Sequence, residues 1–431
     1  MSVHNYSSLL RHASYRAVLI TQFLGALNDN ILRIVVGLYV LSPALDTDDP
    51  ALWVSLGGIA FIVPYLLFAG HAGQLSDSIS KRRVLIGAKI AEVAIMGAAW
   101  LAFETQSLTA MTAILFLMAT QSAYFSPARY GILPELLTPA DLGPANGLGE
   151  MLMFVAIIIG MGFGGFLFEI ADGAPLWIAL PMVLIAAVGA AASTFIPRNR
   201  EKRIVKRAFD CSTKGTGLRR GFDLLRRRSM LAKGVVGMSA FWCVGSLLQI
   251  DILFLGTDTL GLGQTGIGLL QGTLGLGVGT GGLIAGRLIR RVPIARLAQS
   301  GAICMTAALF ALVFAPSNTI TAFAGLFLAG CGGGAVIIPI IVVLQTRCDP
   351  ASRGRLFAVN NFFNMVAVLV GIGAFWVLRV GFGLTPDGIV HVLAFTSVVV
   401  LGLVAFAPRH AVRSIAARCR AATSVISGSK P

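Results

Sequence analysis

The sequence predicts an all-α membrane protein with twelve transmembrane helices, arranged as two six-helix, pseudo-symmetric halves. Three observations predict this fold class: the composition, a series of twelve apolar segments, and a regular alternation of charge between them. Of 431 residues, 56% are hydrophobic and only 12% are charged, and the mean hydropathy is +0.82. A soluble domain carries about 25% charged residues. A chain this apolar would leave much hydrophobic surface exposed in water, whereas a bilayer would cover it.

The apolar segments have the length that a bilayer requires. A helix needs about 20 apolar residues to cross the hydrocarbon core. Polar, Gly and Pro residues separate the segments, which we predict at 15–41, 52–74, 84–103, 109–129, 146–168, 176–196, 232–255, 265–287, 294–315, 320–344, 357–379 and 389–407. In the tenth segment, the glycines at 332–334 together with Pro339 predict a flexible or broken helix.

Lys and Arg alternate between the connections. Connections without either residue lie at 42–51, 104–108, 169–175, 256–264 and 316–319. The connections between these are basic, as at Lys81-Arg82-Arg83 and in the long segment 198–233, which has thirteen Lys and Arg against three Asp and Glu. Basic loops stay in the cytoplasm, so we expect an even number of spans and two cytoplasmic termini. Arg379, at a predicted outer end, is the one exception.

The same alternation accounts for the formal net charge of +15. A basic protein that binds nucleic acid is expected to concentrate its charge on one face or groove, with aromatic residues among the bases. The sequence has no such pattern, and we expect no nucleic-acid partner.

The basic segment divides the chain. We predict an N-terminal half at 1–197, a cytoplasmic linker at 198–231, a C-terminal half at 232–408 and a basic cytoplasmic tail at 409–431. The linker charges have two interpretations: a solvated surface that fixes topology, or a surface that contacts anionic lipid headgroups.

A loop motif follows the second segment and has a second copy after the eighth. The first reads Gly73-Gln-Leu-Ser-Asp77-Ser-Ile-Ser80-Lys81-Arg82-Arg83, and the second reads Gly282-Leu-Ile-Ala-Gly286-Arg287-Leu-Ile-Arg290-Arg291. The first glycine allows helices to approach closely. Asp77, at a helix end, is suited to contact a neighbouring helix N-terminus or a base. The second copy keeps the spacing and the bases but lacks the Asp. The predicted gating residues are Gly73, Asp77, Lys81, Arg82, Arg83, Gly282, Arg287 and Arg290.

These two copies resemble the GxxxDxxGxRR loop of the major facilitator superfamily, with Ser80 where that family usually has Gly. The resemblance implies two six-helix halves that rock about a site near the middle of the membrane. It also implies that the motif acts in gating and does not select the substrate.

A narrower resemblance is to the lysophospholipid transporter family, including the transporter halves fused to acylglycerophosphoethanolamine acyltransferases. The stretches that carry it are Gln22-Phe-Leu-Gly-Ala-Leu-Asn28-Asp29-Asn30, Lys89-Ile-Ala-Glu92, Tyr124-Phe-Ser-Pro127-Ala-Arg129-Tyr130-Gly131-Ile-Leu-Pro134-Glu135 and Asn146-Gly147-Leu-Gly-Glu150. The C-terminal half matches more loosely, and Gln249 stands where members without the fusion carry Arg. The resemblance implies a lysophospholipid as substrate, membrane lipids as partners and a bacterial inner membrane as the location.

Ionisable and amide groups inside the spans are costly and are therefore functional candidates. Asp29 and Arg33 are four residues apart and share one helix face, either as a structural pair or as a site where Asp29 binds a coupling cation or a substrate amine and Arg33 is its resting partner. Gln249 and Asp251 are two apart, so at most one of them lines a cavity. The predicted substrate or ion site comprises Asp29, Asn30, Arg33, Glu92, Glu150 and Gln249.

The predicted function is secondary transport of a small amphiphilic solute, with lysophospholipid as the best candidate. Two alternatives remain: the same fold moving a drug, a metabolite or a metal or iron chelate, and a non-transporting membrane scaffold or sensor. We do not expect an enzyme, because the sequence has no P-loop, GxSxG or HExxH motif, and we expect no cofactor and no bound metal.

Overall fold

The computed structural model describes residues 6–42, 49–171, 174–197, 216–315 and 317–405. Over these residues the secondary structure is helical, without strands. The α-helices are α1 Tyr6–Arg11, α2 Ala13–Leu41, α3 Pro50–Ser78, α4 Lys81–Glu104, α5 Leu108–Leu136, α6 Leu142–Ile170, α7 Pro175–Thr194, α8 Thr216–Arg227, α9 Ser229–Phe254, α10 Gln264–Leu288, α11 Ile294–Phe314, α12 Thr319–Arg347, α13 Arg353–Trp376 and α14 Pro386–Ala405. The π-helical turns Leu255–Thr259 and Val377–Gly381 extend α9 and α13.

Eleven helices of the described residues are long and apolar enough to cross a membrane. They coincide with the first eleven predicted segments. Helix α14 coincides with the twelfth, 389–407, whose last two residues lie outside the described residues. Large apolar side chains lie on the outside, for example Phe314 at 83% and Ile320 at 80% exposure. Apolar surface on this scale requires a lipid environment, and the protein is therefore a multi-pass membrane protein.

Local signals fix where α3 and α4 begin. Pro50 occupies the first turn of α3, where its missing N–H costs nothing, and the Asp49 carboxylate accepts a hydrogen bond from the Leu52 N–H at 3.0 Å. Ser80 is the N-cap of α4 and accepts from the Arg83 N–H at 3.3 Å. Both side chains satisfy N–H groups that the first turn of a helix leaves unpaired.

The chain divides into two compact units. Unit 1 is Met1–Leu136, Leu152–Ser229 and Arg347–Val366, and unit 2 is Leu137–Met151, Met230–Thr346 and Ala367–Pro431. The halves and boundaries predicted from the sequence stay a prediction. Of the predicted linker, 198–215 lies outside the described residues, as does the whole of the predicted tail, 409–431.

Each unit has its own apolar core. In unit 1, side chains of α2, α4, α5 and α7 meet around Ile31, Met96 and Ile178, and the Tyr39 and Phe103 rings stack with centroids 5.0 Å apart. In unit 2, side chains of α9 to α14 meet around Leu309 and Phe375, both fully buried.

Helices α10 and α12 pack at backbone distance in unit 2. A Cβ at Gly281 would overlap the Cys331 carbonyl, and one at Gly334 would overlap that of Val278. Small residues let membrane helices approach in this way. Helix α12 is continuous from Thr319 to Arg347, so the predicted break at the glycine triplet is wrong: the missing side chains serve helix packing and leave the helical hydrogen bonds in place.

Candidate functional site

Helix α2 carries three consecutive polar side chains into unit 1. The Asn30 Nδ2 donates to the Ala26 carbonyl of its own helix at 2.7 Å. Asp29 Oδ2 accepts from the Ser122 hydroxyl of α5 at 2.9 Å. Asp29 Oδ1 is buried and has no hydrogen-bond partner in the described part of the chain. A buried carboxylate oxygen in this state can accept a proton, an ammonium group or a small cation.

Asp29 belongs to a larger hydrogen-bonded network. The Ser122 Oγ also lies 3.1 Å from Gln121 Oε1, and Gln121 Nε2 donates to Glu92 Oε2 at 3.4 Å. Asn28 Nδ2 donates to Glu92 Oε1 at 3.3 Å. Because a serine has one hydroxyl hydrogen, Ser122 can donate to Asp29 or to Gln121 but not to both at once. We call this set the α2–α4–α5 network: Asn28, Asp29, Lys89, Glu92, Gln121 and Ser122.

An ion pair between Lys89 and Glu92 anchors the network in α4. Both side chains are only 1% exposed. Gly25 provides room for the ammonium group, because a Cβ at that position would lie 2.6 Å from Lys89 Nζ. In a low-dielectric interior such a pair is maintained only while both charges are present. The network therefore contains two fixed, opposite charges.

Arg33 does not pair with Asp29. Its side chain is exposed, and its guanidinium carbon lies 4.7 Å from the centroid of the Phe61 ring, a cation–π contact. Within the described residues no ion pair joins the two side chains, although they lie on the same helix with the predicted spacing. The structure thus has Asp29 bonded to Ser122 instead of to the predicted resting partner.

Unit 2 contains the other two predicted site residues. Glu150 of α6 is 7% exposed, and one turn before it Asn146 exchanges hydrogen bonds of 2.7 and 3.2 Å with Gln345 of α12. Gln249 of α9 is exposed. Its neighbour Asp251 is fully buried, and neither carboxylate oxygen has a hydrogen-bond partner among the described residues. The spacing of the two predicts that they differ in environment but does not show that Asp251 is the buried one.

Arg379, the exception to the charge alternation, has local partners. It forms an ion pair with Asp258 at 2.7 Å and donates to the Leu384 carbonyl at 3.1 Å. Asp258 and Arg379 lie in the π-helical turns that follow α9 and α13. The arginine thus connects the ends of two helices at the side where the connections otherwise lack bases.

The first loop motif joins segments of unit 1 that are 277 residues apart in the sequence. Asp77 accepts from the Gly354 N–H at 2.7 Å and from both the N–H and the Nε of Arg355, at 3.1 and 2.8 Å. Its carboxylate therefore caps the N-terminus of α13 as well as pairing with a base. Gly73 permits this approach, since a Cβ there would lie 2.8 Å from the Ala358 Cβ.

Two of the three bases in the motif stabilise unit 1. Lys81 forms an ion pair with Glu135 of α5 at 2.8 Å. Arg82 donates to the carbonyls of Thr194 and Ile196, which are acceptors that the C-terminus of α7 leaves without a helical partner. The Arg83 side chain is exposed.

In unit 2 the second copy of the motif contributes a base to its ion pair, whereas the first copy contributes the acid Asp77. Arg290 pairs with Asp141 at 2.7 Å and donates to the Ala140 carbonyl at 3.0 Å, just before α6. Gly282 faces Gly147 of α6, and Arg287 is exposed. The acid that the second copy lacks is thus supplied by Asp141. Sequence reasoning missed both Asp141 and Arg355, because neither belongs to the motif that it contacts.

Two further observations bear on ligands. Unit 2 has an apolar crevice of about 300 Å³ between α9, α13 and α14, lined among others by Leu247, Leu378 and Leu393. No group of three His, Cys, Asp or Glu side chains in the described ranges lies close enough together to hold a metal ion.

A multi-pass helical protein with a buried network of ionisable groups has the construction of a secondary transporter. The family model of the Major Facilitator Superfamily matches residues 18–372, and the chain belongs to this family. Solved structures with the same fold include the human organic anion transporter MFSD10 (TETRAN; TM-score 0.75, 16% identity, 91% of this chain and 99% of that one) and the E. coli fucose:proton symporter FucP (TM-score 0.72, 14% identity, 91% and 98%).

Curated relatives are similar over nearly the whole chain. The lysophospholipid transporter LplT of Escherichia fergusonii is 28% identical over 399 residues, which cover 90% of this chain and 94% of that protein. The protein of the same name from Escherichia coli strain SE11 is 29% identical over 394 residues, with the same two coverages.

Proposed function

We propose that this protein is a secondary transporter that moves a lysophospholipid across the bacterial inner membrane by alternating access, with both termini in the cytoplasm. We propose that the protein transports its solute without changing it chemically. One observation supports the choice of lysophospholipid as substrate: relatives named lysophospholipid transporters match 90% of the chain. The stretches Gln22–Asn30 and Lys89–Glu92, which resemble that family, contribute four of the six residues of the α2–α4–α5 network.

The chemistry of the network suits a zwitterionic headgroup. Lysophosphatidylethanolamine carries an ammonium group and a phosphate diester. The unpartnered Oδ1 of Asp29 is a strong acceptor for that ammonium group or for a coupling cation, while Ser122 keeps its hydrogen bond to Oδ2.

The two motif contacts provide a basis for gating. Asp77 with Arg355 holds the end of α3 against the start of α13, and Arg290 with Asp141 holds the residues that follow α10 against those that precede α6. Alternating access requires helix ends to separate on one side of the membrane and then on the other. We therefore propose that these two charge pairs break and form again in each cycle.

Uptake into spheroplasts that lack lipid transport tests the substrate. We expect labelled lysophosphatidylethanolamine to enter when this protein is present, and glycerophosphoethanolamine, which lacks the acyl chain, to be excluded. No uptake from membranes shown to contain the folded protein would contradict the proposal and would favour another solute on the same fold.

A further inference from the structure

Helix α8, in the connection between α7 and α9, has two chemically distinct faces. One face packs on unit 1: Gly217 lies against the Gly70 carbonyl of α3, Gly221 against Val359 of α13, and Leu225 is buried. The backbones of α8 and α3 are in close contact at this point, because a Cβ at Gly217 would overlap Gly70. Phe222 adds an edge-to-face contact with the Phe363 ring, with centroids 5.4 Å apart.

The opposite face carries four arginines. Arg219 and Arg226 are seven residues apart, as are Arg220 and Arg227, so each pair lies two turns apart on the same side of the helix. At about 100° per residue the four cover roughly 120° of arc, centred away from the glycine face. All four side chains are exposed. Asp223 lies within this arc, but no ion pair joins it to an arginine in the described residues. The face therefore keeps a net positive charge.

The position of α8 brings this face to the edge of the bilayer. Gly70 lies eight residues before the end of α3, which at 1.5 Å per residue is about 12 Å of helix. Helix α3 has 29 residues, so it is about 43 Å long and extends beyond a hydrocarbon core of about 30 Å. A helix docked at that depth lies at the boundary between acyl chains and headgroups, where basic amphipathic helices bind.

We propose that the face formed by Arg219, Arg220, Arg226 and Arg227 is a binding site for the phosphate headgroups of anionic phospholipids in the adjacent leaflet. Guanidinium groups bind phosphate oxygens in a bidentate manner. The glycine contacts hold the helix rigid, so the four groups are presented together. The site is independent of the transported solute, because it lies outside the α2–α4–α5 network and on the lipid-facing exterior of the helix.

Native mass spectrometry of the full-length protein tests the site. The protein is purified from vesicles of equal parts phosphatidylglycerol and phosphatidylethanolamine, and the lipids that it retains are counted. Because arginines near the membrane surface attract anionic lipids, we expect the four arginines together to favour phosphatidylglycerol over phosphatidylethanolamine by at least about tenfold. We expect the quadruple variant Arg219→Gln, Arg220→Gln, Arg226→Gln and Arg227→Gln to lose that preference.

A matched variant removes the same charge elsewhere. Arg11, Arg16, Arg291 and Arg296 are also exposed, and replacing these four by Gln should leave the retained phosphatidylglycerol unchanged. Equal retention by the first variant and the wild type, or equal loss in both variants, would overturn the proposal. Displacement of the lipid by millimolar inorganic phosphate would also overturn it, since the site would then bind phosphate without the lipid.

If the quadruple variant is not recovered in folded form, the pair Arg219→Gln and Arg226→Gln takes its place, compared with Arg219→Lys and Arg226→Lys. We expect the Gln pair to reduce retention several-fold and the Lys pair, which keeps the charge but loses the bidentate contact, to reduce it less. Equal retention by the two would contradict the assignment.

Discussion

Lys89 and Glu92 are the most deeply buried ion pair in the described chain, each 1% exposed. Their sequence spacing shows that they share a helix face, but it also allows Lys89 to extend to the membrane surface. The deciding feature is Gly25 on another helix, which leaves room for the ammonium group. A contact of this kind depends on how α2 packs on α4, and no local pattern in the sequence contains it.

Removing one partner of this pair should destabilise the protein strongly. We expect Glu92→Gln or Lys89→Met alone to lower the free energy of unfolding by about 3–5 kcal/mol, because an uncompensated charge stays buried. The double variant should lose less than the sum, since it leaves neither charge. Thermal unfolding in detergent measures all three, and additive losses would show that the two charges are not coupled.

At the scale of single helices, the sequence predicts well where each membrane-spanning helix lies. It predicts poorly whether Pro or Gly residues interrupt that helix. The apolar segments correspond to helices, but α5 passes Pro127 and Pro134 and continues to Leu136, beyond the predicted end at residue 129. The glycine triplet does not interrupt α12. In both helices the tertiary packing stabilises backbone that local propensity disfavours.

Ser80 illustrates a local signal that is readable from the sequence. The major facilitator motif usually has Gly at this position, and here the serine caps α4. We expect Ser80→Ala to cost about 1 kcal/mol of stability and Ser80→Gly only a few tenths, because Gly tolerates the N-cap conformation. Thermal melts of both variants measure the difference. Equal losses would show that the hydroxyl matters for something other than the cap.

At the scale of the whole molecule, the repeated loop predicts the family, and the family model confirms it. The topology that the charge alternation predicts for the connections stays a prediction. The partners of the two loops were beyond the sequence, because Asp77 contacts Arg355 and Arg290 contacts Asp141 across 278 and 149 residues. Such distant contacts require knowledge of which helices are neighbours. The repeated motif identifies one residue of each contact but not its partner.

The second pair offers a clean test of gating. We expect Arg290→Gln to reduce transport several-fold, because it removes a charge-assisted contact worth about 1.5–3 kcal/mol, while Arg291→Gln, on an exposed neighbour, has little effect. The exchange Arg290→Asp with Asp141→Arg should restore part of the rate. Initial rates in proteoliposomes measure this, and full activity of Arg290→Gln would remove the pair from the transport cycle.

We propose that a lysophospholipid is transported through a site that includes Asp29. We would measure uptake of labelled lysophosphatidylethanolamine by proteoliposomes containing the wild type, Asp29→Asn or the adjacent control Asn30→Ala. The Asn30 amide donates to the Ala26 carbonyl of its own helix. We predict uptake by the wild type and nearly normal uptake in Asn30→Ala. In Asp29→Asn we predict a loss of at least about tenfold, because a charged hydrogen bond is removed. Equal uptake by the wild type and Asp29→Asn, with both proteins folded and inserted, would contradict it.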